Sequence, residues 1–287
     1  MKFRYIFLVV FLLSVYSGYT QESTSQTWFT VKELAEKPWV IDDNGADNMY
    51  LVEGKDSALL IDTGTGAADL IGQVKKLTSK PVIVVNTHAH PDHSGSNHQF
   101  DRVYMHKADT TAARKYNSIG YLSGEGSKNP KKSIPLDSDL YKGERKNFIF
   151  SVISEGYIFD LGSRQLYVIE TPGHTPGSIC LLDIENKYLF SGDCNNRLIW
   201  AFLKESLPLN VFLATLEKQK SLFSQFDTIF PGHGRPTPKD FIEDQISCIK
   251  SILDKTCVPK PYESFAGKAL ICTSGRASVA FDPKKLY

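Results

Sequence analysis

The segment Thr87-His88-Ala89-His90-Pro91-Asp92-His93 places four metal-binding side chains within six residues, directly behind the apolar run Pro81-Val82-Ile83-Val84-Val85. Imidazole nitrogens and carboxylate oxygens are the donors that a borderline divalent metal such as zinc prefers. His88 and His90 stand two apart, so in extended backbone they point to the same side. Pro91 cannot continue a regular strand, which turns the chain and aims Asp92 and His93 at a neighbouring point. One segment can therefore serve two metals. A lone histidine in a polar loop is ordinarily a surface residue, but three of the chain's seven histidines fall in this one stretch.

Three later segments share a plan in which an apolar strand ends in a ligand flanked by glycine. Gln165 to Glu170 leads into Thr171-Pro172-Gly173-His174-Thr175-Pro176-Gly177, Tyr188-Leu189-Phe190 into Ser191-Gly192-Asp193, and Thr228-Ile229-Phe230 into Pro231-Gly232-His233-Gly234. Loops crowded around a metal centre need the close backbone approach and positive φ that glycine permits. Each segment alone is a turn; together, after His-x-His-x-Asp-His, they describe a ligand shell. His98 and His106 fall outside the pattern and read as ordinary surface or core histidines. Cys194 follows Asp193 and should point away from it, a structural residue.

The elements that must position these residues are short strands and a few helices. Met49 to Glu53 and Ser57 to Asp62 read as strands joined at Gly54-Lys55-Asp56, the second delivering Asp62-Thr63-Gly64. Leu70, Ile71, Val74 and Leu77 form a helical stripe before the buried strand Val82 to Val85. A strand over Val103 to His106 and a helix over Lys107 to Lys115 follow. From Tyr116 to Lys146 the chain turns to Gly, Ser, Pro and Lys without periodicity, a long loop expected at the active site. Its Lys128, Lys131 and Lys132 read first as solvated charges and second as contacts for an anionic ligand. Strands over Tyr157 to Asp160, Gln165 to Glu170, Ser178 to Asp183, Lys187 to Phe190 and Thr228 to Phe230 follow. Helices are expected over Leu209 to Phe226 and Lys239 to Leu253, with a hairpin in 262–287 around Thr273-Ser274-Gly275. Strand groups broken by helices predict an α+β fold of sheets covered by helices rather than a simple barrel.

Lys2 and Arg4 precede the apolar run Tyr5 to Leu13, and Ser17, Gly18 and Thr20 follow, the layout of a signal peptide over residues 1–20. The run is short for a membrane span, so the expectation is cleavage and a periplasmic or secreted protein with no membrane association afterwards; retention as an anchor is the alternative. About 267 residues remain, sufficient for one large domain over 21–287. Without Lys2 and Arg4 there are 31 basic against 32 acidic residues, a balance that recruits neither nucleic acid nor an anionic membrane. A small-molecule substrate is the expected partner; the oligomeric state is not legible. Five cysteines are too few for a disulfide scaffold, and Cys257 with Cys272 is the pair expected to bond in an exported chain.

From about Tyr50 to Pro238 these motifs resemble the metallo-β-lactamase superfamily of αββα metallohydrolases, closer to its glyoxalase II and lactonase-like members than to true β-lactamases. The resemblance implies a four-layer αββα sandwich, two mixed β-sheets face to face with helices outside and the site at one edge. It implies two Zn2+ ions, with iron or manganese as alternatives. His88, His90 and His174 would hold one ion; Asp92, His93 and His233 the other; Asp193 would bridge them. Asp62 would orient a histidine ligand from behind. Two such ions about 3.5–4 Å apart can share a water, lower its pKa from 15.7 toward neutrality and supply a bridging hydroxide as nucleophile. Asp92 could also orient that water or accept its proton, a catalytic role.

The same resemblance orders the substrates. True β-lactamases tend to lack aspartate at the bridging position, so Asp193 favours a carboxylic ester, thioester or lactone. The lysine that one β-lactamase class carries three residues on is Asn196 here, though Arg197 is near enough to contact substrate, which keeps β-lactams as an alternative beside phosphodiesters. The family's frequent Gly-Gly after the histidine motif is Gly95-Ser96. A single-iron sulfur dioxygenase or a non-catalytic zinc-binding protein ranks lower, because every residue of a second site is present and structural zinc sites are closed by four protein ligands.

Overall fold

Near-continuous apolar runs form strands covered on both faces here, and alternating runs form strands at the margins. The computed structural model describes residues 28–34, 38–116 and 148–287. Among these, a first sheet follows the chain in order: β1 (Thr30–Glu33), β2 (Pro38–Asp42), β3 (Asn48–Glu53), β4 (Ala58–Ile61), β5 (Val82–Val85), β6 (Arg102–His106) and β7 (Ile149–Ile153). Its first four strands pair antiparallel and its last four parallel. The second sheet contains β8 (Ile158–Asp160), β9 (Gln165–Glu170), β10 (Ile179–Asp183), β11 (Tyr188–Gly192), β13 (Thr228–Pro231) and β14 (Thr237–Pro238), in the order β14-β13-β11-β10-β9-β8. Only β11 and β13 run parallel in it.

Alternation within each strand builds the layers. Tyr50, Val52, Leu59 and Ile61 face Leu166, Val168, Ile179, Leu181, Phe190 and Phe230 between the sheets. Their neighbours Met49, Leu51, Ala58 and Leu60 point outward onto Leu70 and Val74 of α1 (Leu70–Leu77). The side chain of Asp69 caps that helix by accepting from Gly72 N. On the far side, Leu182, Leu189 and Ile229 pack beneath the helices α4 (Leu209–Ser221) and α5 (Phe241–Leu253). Helix, sheet, sheet and helix are thus stacked as an α+β sandwich. The short helices α2 (Pro91–Ser94) and α3 (Thr110–Tyr116) lie at its edge. Among the described residues no helix is long and apolar enough to cross a membrane.

Several expectations need correction. The C-terminal segment is more than a hairpin: β15 (Lys260–Ser264), β16 (Gly267–Ser274) and β17 (Ala277–Phe281) are joined by β12 (Leu198–Ala201), parallel to β17, in a third sheet. Val279 and Phe281 pack into the core beneath α5, which accounts for a sheet so late in the chain. The hairpin itself turns at Gly275, φ 55°. The helix expected to Phe226 ends at Ser221, with Leu222 as its C-cap and Phe226 fully buried beyond it. Lys107 to Asp109 form a 3-10 turn ahead of α3 rather than its first turn. Cys257 and Cys272 are disulfide-bonded, while Cys180, Cys194 and Cys248 are free and buried. The expected signal segment at 1–20 lies outside the described residues, as does the expected loop at 116–146 except for Tyr116 at the end of α3.

Candidate metal centre

Parallel pairing brings the strand ends to one edge. Ile61 is level with Val85, so Asp62 and the Asn86-Thr87-His88 segment leave their strands side by side. In the other sheet Phe190 is level with Phe230 and Gly192 with Pro231, which sets Asp193 beside His233. The two edges are laced together: Ile179 N donates to Thr87 O (2.9 Å), Asn48 N to Gly232 O (2.8 Å) and Tyr50 Oη to Pro231 O (2.6 Å). Ligands collect at such carboxyl ends of strands.

Two glycines are required by this crowding. A Cβ on Gly192 (φ 47°) would meet Thr87 Oγ1 at 2.4 Å, and one on Gly232 would meet His93 Cε1 at 2.6 Å and Asp193 Oδ1 at 2.7 Å. Asp62 takes a positive φ of 64° without being glycine. Its carboxylate accepts from Thr87 N (2.7 Å), Thr87 Oγ1 (2.8 Å) and His93 Nδ1 (2.9 Å), enough to over-determine the strained backbone. This also fixes the His93 tautomer and turns Nε2 inward.

The seven side chains singled out as ligands are all brought together. His88 Nε2 and His174 Nε2 lie 3.0 and 2.9 Å from His90 Nδ1, and Asp193 Oδ2 lies 3.3 Å from His174 Nε2. Across the carboxylate, Asp193 Oδ1 is 3.3 Å from His93 Nε2 and 3.2 Å from His233 Nε2. His93 Nε2 and His233 Nε2 are 3.3 Å apart, and Asp92 Oδ2 is 3.4 Å from His233 and 3.9 Å from His93. Donors bonded at about 2.0–2.1 Å to one tetrahedral ion stand about 3.3–3.4 Å apart, so both groups have the spacing a small cation requires. Asp193 Oδ1 is buried without a hydrogen-bond partner among the described residues, and nitrogens of three imidazoles crowd together, two of them within 3.0 Å of His90 Nδ1. A cation would satisfy the orphaned oxygen and draw the crowded nitrogens to itself, so the residues fit a two-ion centre.

Outer contacts hold the ligands. His174 Nδ1 donates to Trp200 O (2.9 Å), and His233 N donates to Asn196 Oδ1 (3.1 Å). The side chain of Asn196, where a substrate-binding lysine would stand, is thus committed to the His233 loop. Arg197 is exposed before β12, and its side chain makes no hydrogen bond or ion pair with the centre among the described residues. His98 Nδ1 is engaged with Gly95 O, and His106 Nε2 lies 3.2 Å from Glu170. Gly95 is packed against Thr65, leaving no space for a Cβ. Cys194 is buried against Gln219, and burial pushes its thiol well up.

Three functional neighbours were not singled out from sequence. Asp109 accepts from Ala89 N (3.0 Å), Thr175 Oγ1 (2.7 Å) and Gly177 N (2.8 Å), tying the first histidine loop to that of His174. Glu205 Oε1 meets His90 Nε2 at 2.5 Å. Asp47 Oδ1 lies 3.3 Å from His93 Nδ1; the carboxyl is buried with neither oxygen hydrogen-bonded among the described residues, and it falls with His93 and His233 in one group of potential ligands. Asp47 sits in Asp42-Asp43-Asn44-Gly45-Ala46-Asp47, whose composition signals a turn.

Electrostatics separate the two halves. Burial holds His88 well below its ordinary pKa and His174 at about 4, so both are neutral donors. Burial also opposes charge on His93 and His233, but carboxylates outweigh it: Asp47, Asp193, Asp92 and Asp62 hold His93 well above its usual value, and Asp193 holds His233 at about 9. Burial works against charge on Asp193, yet His233 and His93 keep its carboxyl well below the usual range. The His90 hydrogen bond takes Glu205 down to about 2.

The profile of the metallo-beta-lactamase superfamily matches residues 42–234. The chain is 30% identical over 232 residues to acyl-coenzyme A thioesterase MBLAC2 of Homo sapiens, covering 72% of this chain and 81% of that protein. It is 30% identical over 132 residues to glyoxylase B2 of Dictyostelium discoideum, covering 46% of this chain and 41% of that one. Among solved structures, a metallo-beta-lactamase from Pontibacter korlensis superposes with a TM-score of 0.55 at 18% identity, over 76% of this chain and 97% of that chain. The sec-alkylsulfatase Pisa1 from a Pseudomonas species gives 0.61 at 17% identity over 79% of this chain, which spans 42% of the sulfatase. The protein belongs to the metallo-beta-lactamase superfamily.

Proposed function

We propose that the protein is an exported hydrolase that uses two metal ions, zinc foremost, to cleave a carboxylic ester, thioester or lactone, with an acyl thioester as the favoured substrate. The observation that carries the reading is Asp193, whose two oxygens face two separate sets of imidazole donors at 3.2–3.3 Å. The thioesterase relative, similar over most of both chains, favours the thioester within that class.

His88, His90, His174 and Asp193 would hold the first ion, and His93, His233, Asp92 and Asp193 the second. When bound, the ions supply Lewis acidity that makes water nucleophilic near neutral pH and polarises the acyl carbonyl. The chain's own residues do the rest. Asp62 keeps His93 Nδ1 protonated, so that Nε2 presents its lone pair. Asp92, about one-third exposed at the open side of the centre, can hold a proton at Oδ2. Asp109 keeps the two loops carrying site-one histidines in register. Export is supported by the basic and apolar N-terminal segment and by the Cys257–Cys272 disulfide, a bond that oxidising compartments sustain.

The test is turnover by purified, zinc-loaded protein across acyl thioesters, carboxylic esters, lactones, β-lactams and phosphodiesters. Hydrolysis led by a thioester is expected. Hydrolysis of β-lactams or phosphodiesters alone would overturn the substrate class, and no hydrolysis of any would overturn the enzymatic reading.

A further inference from the structure

Glu205 lies on the segment between β12 and α4, 115 residues after His90, yet its carboxylate meets the outer nitrogen of that histidine at 2.5 Å. His90 is unusual among the three site-one histidines in the nitrogen it turns inward. His88 and His174 point Nε2 at the centre, whereas His90 points Nδ1, with Nε2 facing outward to Glu205. An imidazole that ligates through Nδ1 must carry its proton on Nε2, and a carboxylate at that nitrogen selects this tautomer.

The segment that presents Glu205 is itself built. Lys285 Nζ, from the C-terminal tail, donates to the carbonyls of Leu203 (2.8 Å), Lys204 (2.8 Å) and Ser206 (3.1 Å), which bracket Glu205 on both sides. Ser206 Oγ donates to His174 O (3.1 Å), and Leu207 N to Gly173 O (2.9 Å), fastening the same segment to the loop of another ligand. Leu209 N and Asn210 N donate to the carbonyls of Lys285 and Leu286, so tail and segment hold each other.

We propose that Glu205 is a positioning residue for the first metal ion: it fixes the tautomer and orientation of His90, and Lys285 holds it in place. The inference rests on the two-ion reading of the centre. It gives the C-terminal tail a function, because the tail ends up setting the geometry of a ligand some 195 residues earlier in the chain.

The experiment measures zinc affinity by chelator competition and the visible spectrum of the Co2+-substituted protein, for wild type and three variants whose folding is checked by circular dichroism. Glu205→Ala is expected to weaken zinc binding about 10–100-fold and to alter the cobalt spectrum. Glu205→Gln, whose amide oxygen can accept the same hydrogen bond, should lose less, and Lys285→Met should fall between Glu205→Ala and wild type. Equal affinity and an unchanged spectrum in Glu205→Ala, or equal losses in Glu205→Ala and Glu205→Gln, would overturn the proposal while leaving the two-ion reading intact. Failure of the wild-type chain to bind zinc or cobalt would overturn both.

Discussion

The two halves of the candidate metal centre share one carboxylate and differ in almost everything else. The first is built from three histidines whose burial keeps His88 and His174 neutral, with one outer carboxylate on His90. The second surrounds His93 and His233 with Asp47, Asp62, Asp92 and Asp193, so both histidines favour their protonated forms. A cation entering the first half meets neutral imidazoles at His88 and His174, whereas one entering the second must displace protons from His93 and His233. Two sites of similar ligand type can thus differ in how strongly protons compete with metal.

Removing the shared carboxylate should do the most damage, because it couples the halves. Asp193→Ala should lower kcat/KM on the best hydrolysed substrate about 10³-fold, roughly 4 kcal/mol of transition-state stabilisation. The side chain is 11% exposed and lies against His93 and His233, so circular dichroism and thermal unfolding of the metal-free variant separate loss of catalysis from loss of fold.

Asp62 bears unequally on the two halves: it meets the second-half ligand His93 directly and reaches His88 of the first half only through Thr87. Asp62→Ala would leave Thr87 N and His93 Nδ1 without their acceptor, at about 1–3 kcal/mol of stability each. Zinc titration should show about 10–100-fold weaker binding of the second ion and a smaller loss for the first. Asp62→Asn, which tolerates positive φ and keeps a carbonyl acceptor, should fall between the two.

The pH dependence follows in sign from the histidines. His233 releases its competing proton only near pH 9, so affinity for the second ion should climb about tenfold per pH unit for each proton displaced, from pH 6 until about 9. His174 is already neutral above about pH 4 and imposes no such climb on the first ion. Calorimetric titration with zinc at pH 6, 7 and 8 separates the two; parallel slopes would break the contrast.

The smallest effect on the centre should come from the third sheet's staple. Cys272→Ser opens the Cys257–Cys272 bond, closed across 15 residues, and should cost about 3 kcal/mol by loop entropy. Metal content should not change. Loss of metal in this variant would mean that the third sheet supports the centre more directly than its packing on α5 indicates.

The centre was legible in the sequence where chemistry was dense. Thr87 to His93 concentrates ligand types that have no structural reason to cluster, and the glycines beside Asp193 and His233 mark places where a Cβ would strike the neighbouring loop. The helix-covered sandwich was legible because β3, β4 and β5 alternate toward two different cores. The supporting residues were not. Asp47 is hidden in a turn-like run, Asp109 in a stretch that reads as the start of a helix and folds as a 3-10 turn, and Glu205 in a connection without periodicity; each acts through contacts that exist only after the sheets pack. The third sheet escaped for a related reason, since β12 is four residues long and finds its partner, β17, about eighty residues later.

The central claim is that this chain holds two metal ions through one shared carboxylate. Its most direct test is the metal content per chain, by elemental analysis of the full-length protein after zinc reconstitution and dialysis at pH 8. The account predicts two zinc ions per wild-type chain and at most one in His233→Ala. One iron and no zinc in the protein as isolated, together with a single ion after reconstitution, would contradict it.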